Sequence, residues 1–396
     1  MLTGGHPPPL TAEEVAQRER TTEALRSRID AAGGWIPFRE FMETALYAPD
    51  LGYYATPRAV FGAAGDFVTA PELSPLFAAC LANGVADVLA KSGGGDVVEF
   101  GAGSGALAAG LWPGLQRLGA SVGRYRIVEP SAALAARQRA RIAEDPVLAP
   151  WRERFEWLVA APPEAWRGVA IANEVVDALP VDRFRVVAGG CEALGVVVAG
   201  EGFAFAPRAA DATLAAAVES LQRALPAPMP AGYVSEWRPS QRDWVADGAR
   251  TLACGAMLVA DYGLPRAQYY HASRDGGTLC GFRRHLRISD PLADPGLQDL
   301  TAWVDFSALA DDGGAGGLRL GGFATQAHYL LAAGIEHELA RLSKPASAAA
   351  RRALGQDAAT LLLPGEMGER FKVMVLTREI RDPLVGFGFR DLAASL

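Results

Sequence analysis

Asp96-Val97-Val98-Glu99-Phe100-Gly101-Ala102-Gly103-Ser104-Gly105-Ala106 is the stretch on which the fold turns. DVVEF (96–100) is short, rich in β-branched residues and closed by glycines, the pattern of a buried strand. ALAAGLWPGLQRL, which follows, reads as a helix interrupted near Pro113. A glycine turn between such elements lets the backbone bend sharply and approach a ligand with no Cβ in the way. The helix that follows offers unpaired N–H groups to an anion. Glu99 closes the strand, and Glu129 closes the next one, RYRIVEP, 28 residues after Gly101.

Three chemistries compete for this loop. In a methyltransferase, the anion is the methionyl carboxylate of S-adenosylmethionine. Glu99 then accepts hydrogen bonds from the cofactor, and Glu129 takes both ribose hydroxyls as donors, as acidic residues do in dinucleotide sites. Gly101, Gly103 and Gly105 form the cradle. The same residues satisfy GxGxxG/A, so an NAD(P)-dependent oxidoreductase is the alternative. That fingerprint usually opens its domain, whereas here residues 1–95 precede it. A hydrolase reading makes Ser104 a nucleophile, with Asp261 and His285 following in order. It leaves Glu99 and Glu129 without a task.

Outward from the loop, strands and helices alternate through RYRIVEP, the helix at 131–143, FEWLVA and GVAIAN. This is the signature of a doubly wound α/β fold with a parallel sheet. The fourth strand runs into Asn173-Glu174-Val175-Val176-Asp177. Ligands of such sheets sit beyond the carboxyl ends of the strands, so Asn173, Glu174 and Asp177 are the candidate catalytic residues. The plain alternative makes Glu174 and Asp177 helix-start acids. Gly65-Asp66-Phe67-Val68-Thr69-Ala70-Pro71-Glu72 precedes a helix expected over 74–91. As structure alone it reads as a cap, with Thr69 at the N-cap and Glu72 completing it.

The expected organisation is an N-terminal helical and lid segment over 1–73 and a first part of the core over 74–182. An inserted antiparallel hairpin and helix occupy 183–231, and the rest of the core 232–396. Within that last part, GAMLVADYG (255–263) is a core strand and 264–304 a long loop of the kind that usually serves function.

The 396 residues carry a net charge of −7, which argues against a nucleic-acid partner. Four scattered cysteines with no CxxC pair, and five histidines with no HxxxH or HExxH spacing, point to a reduced compartment and no metal site. No apolar run reaches the ~18 residues of a membrane span, and the N-terminus shows no secretory apolar region. A cytoplasmic, bacterial protein is expected. Its oligomeric state is left open, a homodimer included.

With these residues in place, the chain resembles the MidA-like family of class I methyltransferases over roughly residues 35–380. The resemblance rests on GDFVTAPELSPLF, EFGAGSGALA, YRIVEPSAALAARQ, NEVVDALPVDRF, ADYG, the block GTLCGFRRHLRISDPLADPGLQDLTAWVDF and GERFKVMVLTR. It implies a Rossmann-like seven-stranded methyltransferase sheet, S-adenosylmethionine as cofactor, and a protein substrate whose arginine is methylated. Mitochondrial members are complex I assembly factors that symmetrically dimethylate an arginine, so an assembly factor without turnover is a further alternative. Residue by residue, the family's cofactor positions fall on Glu99, Gly101, Gly103, Gly105 and Glu129. The GDF stretch takes the place of a lid over the cofactor, which gives Asp66, Thr69 and Glu72 a cofactor role. Two departures stand out: Ala102 where many relatives have Pro, and Trp237-Arg238 beside Glu236.

Overall fold

The computed structural model describes residues 8–56 and 69–396, in two compact units. One unit gathers Val68–Val176, Arg242–Gly263 and Phe306–Leu396, the other Met1–Phe67, Asp177–Gln241 and Leu264–Asp305. In chain order the strands are β1 (Gly95–Phe100), β2 (Val122–Val128), β3 (Phe155–Leu158), β4 (Trp166–Asn173), β5 (Asp182–Val187), β6 (Gly190–Ala199), β7 (Gly202–Ala209) and β8 (Val234–Trp237). They continue as β9 (Leu252–Leu264), β10 (Cys280–Arg283), β11 (Leu286–Ile288), β12 (Asp299–Thr301), β13 (Val304–Asp305), β14 (Arg319–Thr325) and β15 (Phe371–Arg378).

In the first unit, seven strands follow one another in the order β14-β15-β9-β4-β1-β2-β3. β1 pairs in parallel with β2 and β4, β2 with β3, and β4 with β9, whereas β15 runs antiparallel to both β9 and β14. This is the mixed sheet of a class I methyltransferase fold, as expected. The order reverses at β1, so the carboxyl ends of β1 and β4 flank the switch point where doubly wound sheets bind ligands. The central strands read as near-continuous apolar runs because helices cover both faces. Val97, Val98, Val169, Ala170, Ile171 and Ala172 are all fully buried.

Among the helices are α1 (Ala12–Ala31), α2 (Phe38–Tyr47), α3 (Ala70–Leu73), α4 (Pro75–Ser92), α5 (Ala106–Arg117), α6 (Ala132–Glu144) and α7 (Ala212–Ala224). α5 runs unbroken through Pro113, contrary to the interruption expected there. A proline costs the helix one N–H bond to the preceding turn, but Leu107, Leu111, Trp112 and Leu115 anchor the helix on both sides of it in the core. The small residues on α5 explain the close fit: a Cβ at Gly110 would lie 2.6 Å from the Ala78 Cβ, and one at Gly114 2.7 Å from that of Ala82. Two glycines one turn apart thus let α5 lie against α4.

The second unit holds the antiparallel insertion. β5, β6 and β7 form a meander, and β8 joins beside β5, giving the order β7-β6-β5-β8. α1 and α2 bury Leu25, Ile29, Phe38, Phe41 and Met42 in a cluster shared with Val181, Val196, Leu292 and Leu300. The stretch 264–304 departs from the long loop expected of it, because it contains a second sheet, β11-β10-β12. The turn between β10 and β11 is Arg284-His285, both in the left-handed region (φ 50° and 62°). Two positive φ values in a two-residue loop are what a twisted hairpin needs, normally supplied by Asn-Gly. Here ordinary side chains adopt them, so the residue types gave no turn signal.

Candidate cofactor and active site

The cradle follows directly from β1. Gly101, Gly103 and Gly105 all have left-handed φ values, 58°, 54° and 81°, a conformation that costs an L residue about 1–2 kcal/mol. A Cβ at Gly101 would also press within 3.1 Å of Val175 Cγ2. Gly101 donates its N–H to Val128 O, and Gly105 donates to Ala102 O. Among the described residues, nothing accepts from the N–H groups of Ala102, Gly103 and Ser104. A bare loop with spare donors at the start of α5 is the chemistry an anionic carboxylate requires.

Two carboxylates flank this loop. Glu99 is buried and accepts the Tyr125 hydroxyl at 2.6 Å. Burial pushes its carboxyl up to about 7, the Tyr125 bond pulls it back, and the charge of Glu129 adds to the rise. Glu129 is buried as well, and burial raises its carboxyl, while hydrogen bonds from Ser131 and Gln138 lower it. Its Oε1 accepts the Ser131 N–H and its Oε2 the Gln138 amide, each at 3.0 Å. Both acids stand at the ends of adjacent strands beside the glycine loop, and the residues present fit S-adenosylmethionine.

The segment ahead of α4 behaves differently from a simple cap. Thr69 occupies the N-cap position of α3, yet its side chain makes no capping bond, and Ser74 caps α4 instead. Glu72 turns to the glycine loop, where the Ser104 hydroxyl and, at 3.2 Å, Arg141 of α6 donate to its Oε1. Asp66 lies outside the described residues. The same contacts remove the hydrolase reading: Ser104 is engaged by Glu72 and Arg141. Asp261 is fully buried, accepting from the N–H groups of Val176 (3.0 Å) and Tyr262 (2.8 Å).

β4 ends in Asn173, and Glu174 then takes a left-handed φ of 54°. For a residue other than glycine this is uncommon, and such strain clusters at active sites. The Glu174 N–H is fixed to Ala260 O at 2.8 Å. Its Oε1 accepts the Ala70 N–H at 3.3 Å and the Asn173 amide at 3.2 Å. Asp177 belongs to the other unit and is buried there, its carbonyl accepting from Ala302 N–H (3.0 Å) and Arg238 (3.3 Å).

Sequence reasoning missed Gln138. This fully buried amide donates to Gly103 O at 2.9 Å and to Glu129 at 3.0 Å, and accepts the Trp157 indole N–H at 3.0 Å. A glutamine within the helical stretch AARQRAR (135–141) carries no signal of its own; only the approach of α6 to the loop reveals it.

The reversed sheet, the spare N–H groups and the two buried acids at adjacent strand ends define a class I S-adenosylmethionine-dependent methyltransferase. Residues 80–324, more than half of the chain, match a family described as "Putative S-adenosyl-L-methionine-dependent methyltransferase". The chain belongs to that family, and S-adenosylmethionine is its cofactor. A crystal structure from Burkholderia thailandensis, of a "likely methyl transferase" bound to S-adenosyl-homocysteine, is 41% identical with a TM-score of 0.92, covering 99% of this chain and all of that one. The protein arginine methyltransferase NDUFAF7 of Danio rerio mitochondria is 30% identical over 88% of this chain and 84% of its own. Its Homo sapiens counterpart is 29% identical over 87% and 80%. Among the described residues, no helix is long and apolar enough to cross a membrane.

Proposed function

We propose that this chain transfers the methyl group of S-adenosylmethionine to an arginine side chain of a protein. The observation that carries the reading is Glu174, a carboxylate held in strained backbone at the carboxyl end of β4. Relatives over most of the chain named as protein arginine methyltransferases support it. When bound, the cofactor would supply a sulfonium methyl that an acceptor nitrogen displaces in line, the bonding pair leaving with sulfur and the proton of that nitrogen passing to solvent.

The spare N–H groups of the glycine loop bind the carboxylate end of the cofactor. Glu99 accepts from its amino group and Glu129 from its ribose hydroxyls. Glu72 clasps the loop through Ser104 and Arg141, and Asp66 and Thr69 of the same sequence stretch, GDFVTAPE, are assigned to the cofactor with it. A guanidinium stays cationic at neutral pH, so its nitrogen must be oriented in its plane before it attacks. Glu174 grips it for that purpose: a carboxylate takes two parallel N–H bonds and fixes the plane. Asn173 fixes the Glu174 carboxylate in turn. Asp177 lies three residues further on, buried, with its backbone carbonyl held by Ala302 and Arg238, and the grip is assigned to Glu174.

The test is transfer of labelled methyl groups from S-adenosylmethionine to proteins of a lysate, followed by mass spectrometry of the labelled residue. Methylated arginine, lost in Glu174→Gln with S-adenosylhomocysteine affinity retained, is expected. Label on another residue type overturns the arginine assignment. No label from a cofactor-binding protein leaves the assembly-factor alternative.

A further inference from the structure

We propose that Gln138 is a positioning residue of the cofactor site, a single buried amide that ties the glycine loop to Glu129 and is itself oriented by Trp157. The inference rests on the reading of Glu129 as the ribose-binding carboxylate.

The orientation of the amide follows from its partners. An indole N–H only donates, so the oxygen of Gln138 must face Trp157. Its NH2 group then faces Gly103 O and Glu129 Oε2, which both accept. Trp157 stands on β3, and Arg139 lies 4.9 Å over its ring, which holds the indole in place. α6 lies close against the loop: a Cβ at Gly105 would stand in ordinary van der Waals contact with Gln138 Cγ at 3.6 Å and Arg141 Cδ at 3.7 Å.

Glu129 shows what the tie accomplishes. An ionised carboxylate has about four acceptor positions. Gln138 fills one and the Ser131 N–H another, leaving two, the number a vicinal diol can use as donor. The donors are neutral, so they oppose the rise that burial causes and favour the ionised carboxylate without cancelling the charge that attracts the hydroxyls. From β1, Glu99 faces Glu129 as a like charge. α6 brings Arg141, but directs it to Glu72 and Ser104. Gln138 thus sets both the distance between loop and carboxylate and the direction in which the carboxylate's remaining lone pairs point.

The test is calorimetric titration with S-adenosylhomocysteine between pH 5 and 9, on wild type, Gln138→Met, Trp157→Phe and Glu129→Gln. Methionine keeps the volume of the side chain and removes its hydrogen bonds. Ribose binding needs ionised Glu129, so affinity is present at high pH and lost on acidification. Gln138→Met is expected to weaken binding on the order of tenfold at pH 7 and to move that loss to higher pH. Trp157→Phe, which frees the amide to turn, moves it the same way and less. Glu99 is kept in every variant and interacts electrostatically with Glu129, so the readout is the difference between wild type and the Gln138 variant. If Glu129→Gln binds as wild type does at every pH, the ribose reading itself fails. If Glu129→Gln weakens binding while Gln138→Met leaves the acid limb where it was, Gln138 is merely packing and the proposal is overturned. Should Gln138→Met not fold, the limb of Trp157→Phe decides by the same criterion.

Discussion

Replacing Glu99 with glutamine separates what this residue costs the fold from what it gives the cofactor. The side chain is 2% exposed, packed under the glycine loop with one hydrogen bond from Tyr125. Burial is the main reason its carboxyl rises from the ordinary 4.5 to about 7. The folded protein therefore holds this proton more tightly than the unfolded chain does. Its contribution to stability is complete below about pH 4.5, declines as pH rises toward 7, and stays low above. At about 1.4 kcal/mol per pH unit, the loss across that window is roughly 3 kcal/mol. Glutamine keeps the shape, accepts the Tyr125 hydrogen through its carbonyl and never ionises. The cofactor-free variant should match wild type near pH 5 and exceed it by about 1–3 kcal/mol at pH 8, measured by urea unfolding followed through tryptophan fluorescence. The same variant should bind S-adenosylhomocysteine more weakly at pH 8. A stability difference that stays constant from pH 5 to 9 would show that Glu99 does not titrate in the fold, and the reasoning would be refuted.

Gly101→Ala places a Cβ at φ 58° and 3.1 Å from Val175. It should lower stability by about 1–2 kcal/mol in a thermal melt and abolish the thermal shift that S-adenosylhomocysteine gives wild type. Gly110→Val would force α5 off α4, since its Cβ starts 2.6 Å from that of Ala78. Overpacking of this kind costs about 1–3 kcal/mol, readable as a lower urea midpoint. His285→Gly should do the reverse, relieving a left-handed φ of 62° while Arg284 keeps its pairing with Glu14, and raise stability by about 1 kcal/mol with cofactor affinity unchanged in calorimetry. An unchanged or lower urea midpoint would mean the strained turn is held for another reason.

What the sequence reveals of this fold depends on how locally each element is determined. β1, β2 and β4 are legible because strands buried on both faces need runs of apolar residues, and the glycines between β1 and α5 need only their own backbone geometry. The hairpin of β10 and β11 was hidden for the opposite reason. Its turn is made by Arg284 and His285, which adopt positive φ against their intrinsic preference, and its strands are only three and four residues long. Pro113 misled in the same way: a local rule predicted a break, and the core packing of α5 on both sides of the proline outweighed it.

The site divides along the same line. Glu99 and Glu129 could be named from their places at the ends of strands, because strand ends beside a glycine loop are where doubly wound folds put ligands. Their protonation could not be read, since burial in the assembled fold raises both carboxyls and groups from elsewhere then lower them: Tyr125 on β2 for Glu99, Ser131 and Gln138 for Glu129. Glu72 shows the limit most clearly. Its sequence context, just after Thr-Ala-Pro, suits a helix cap, and its side chain nonetheless leaves the helix to meet Ser104 and Arg141. A cap is a contact within four residues, whereas a clasp on the loop joins residues 72, 104 and 141. Only the second needs the sheet to be assembled first, so the site's own geometry is a product of the fold and cannot precede it.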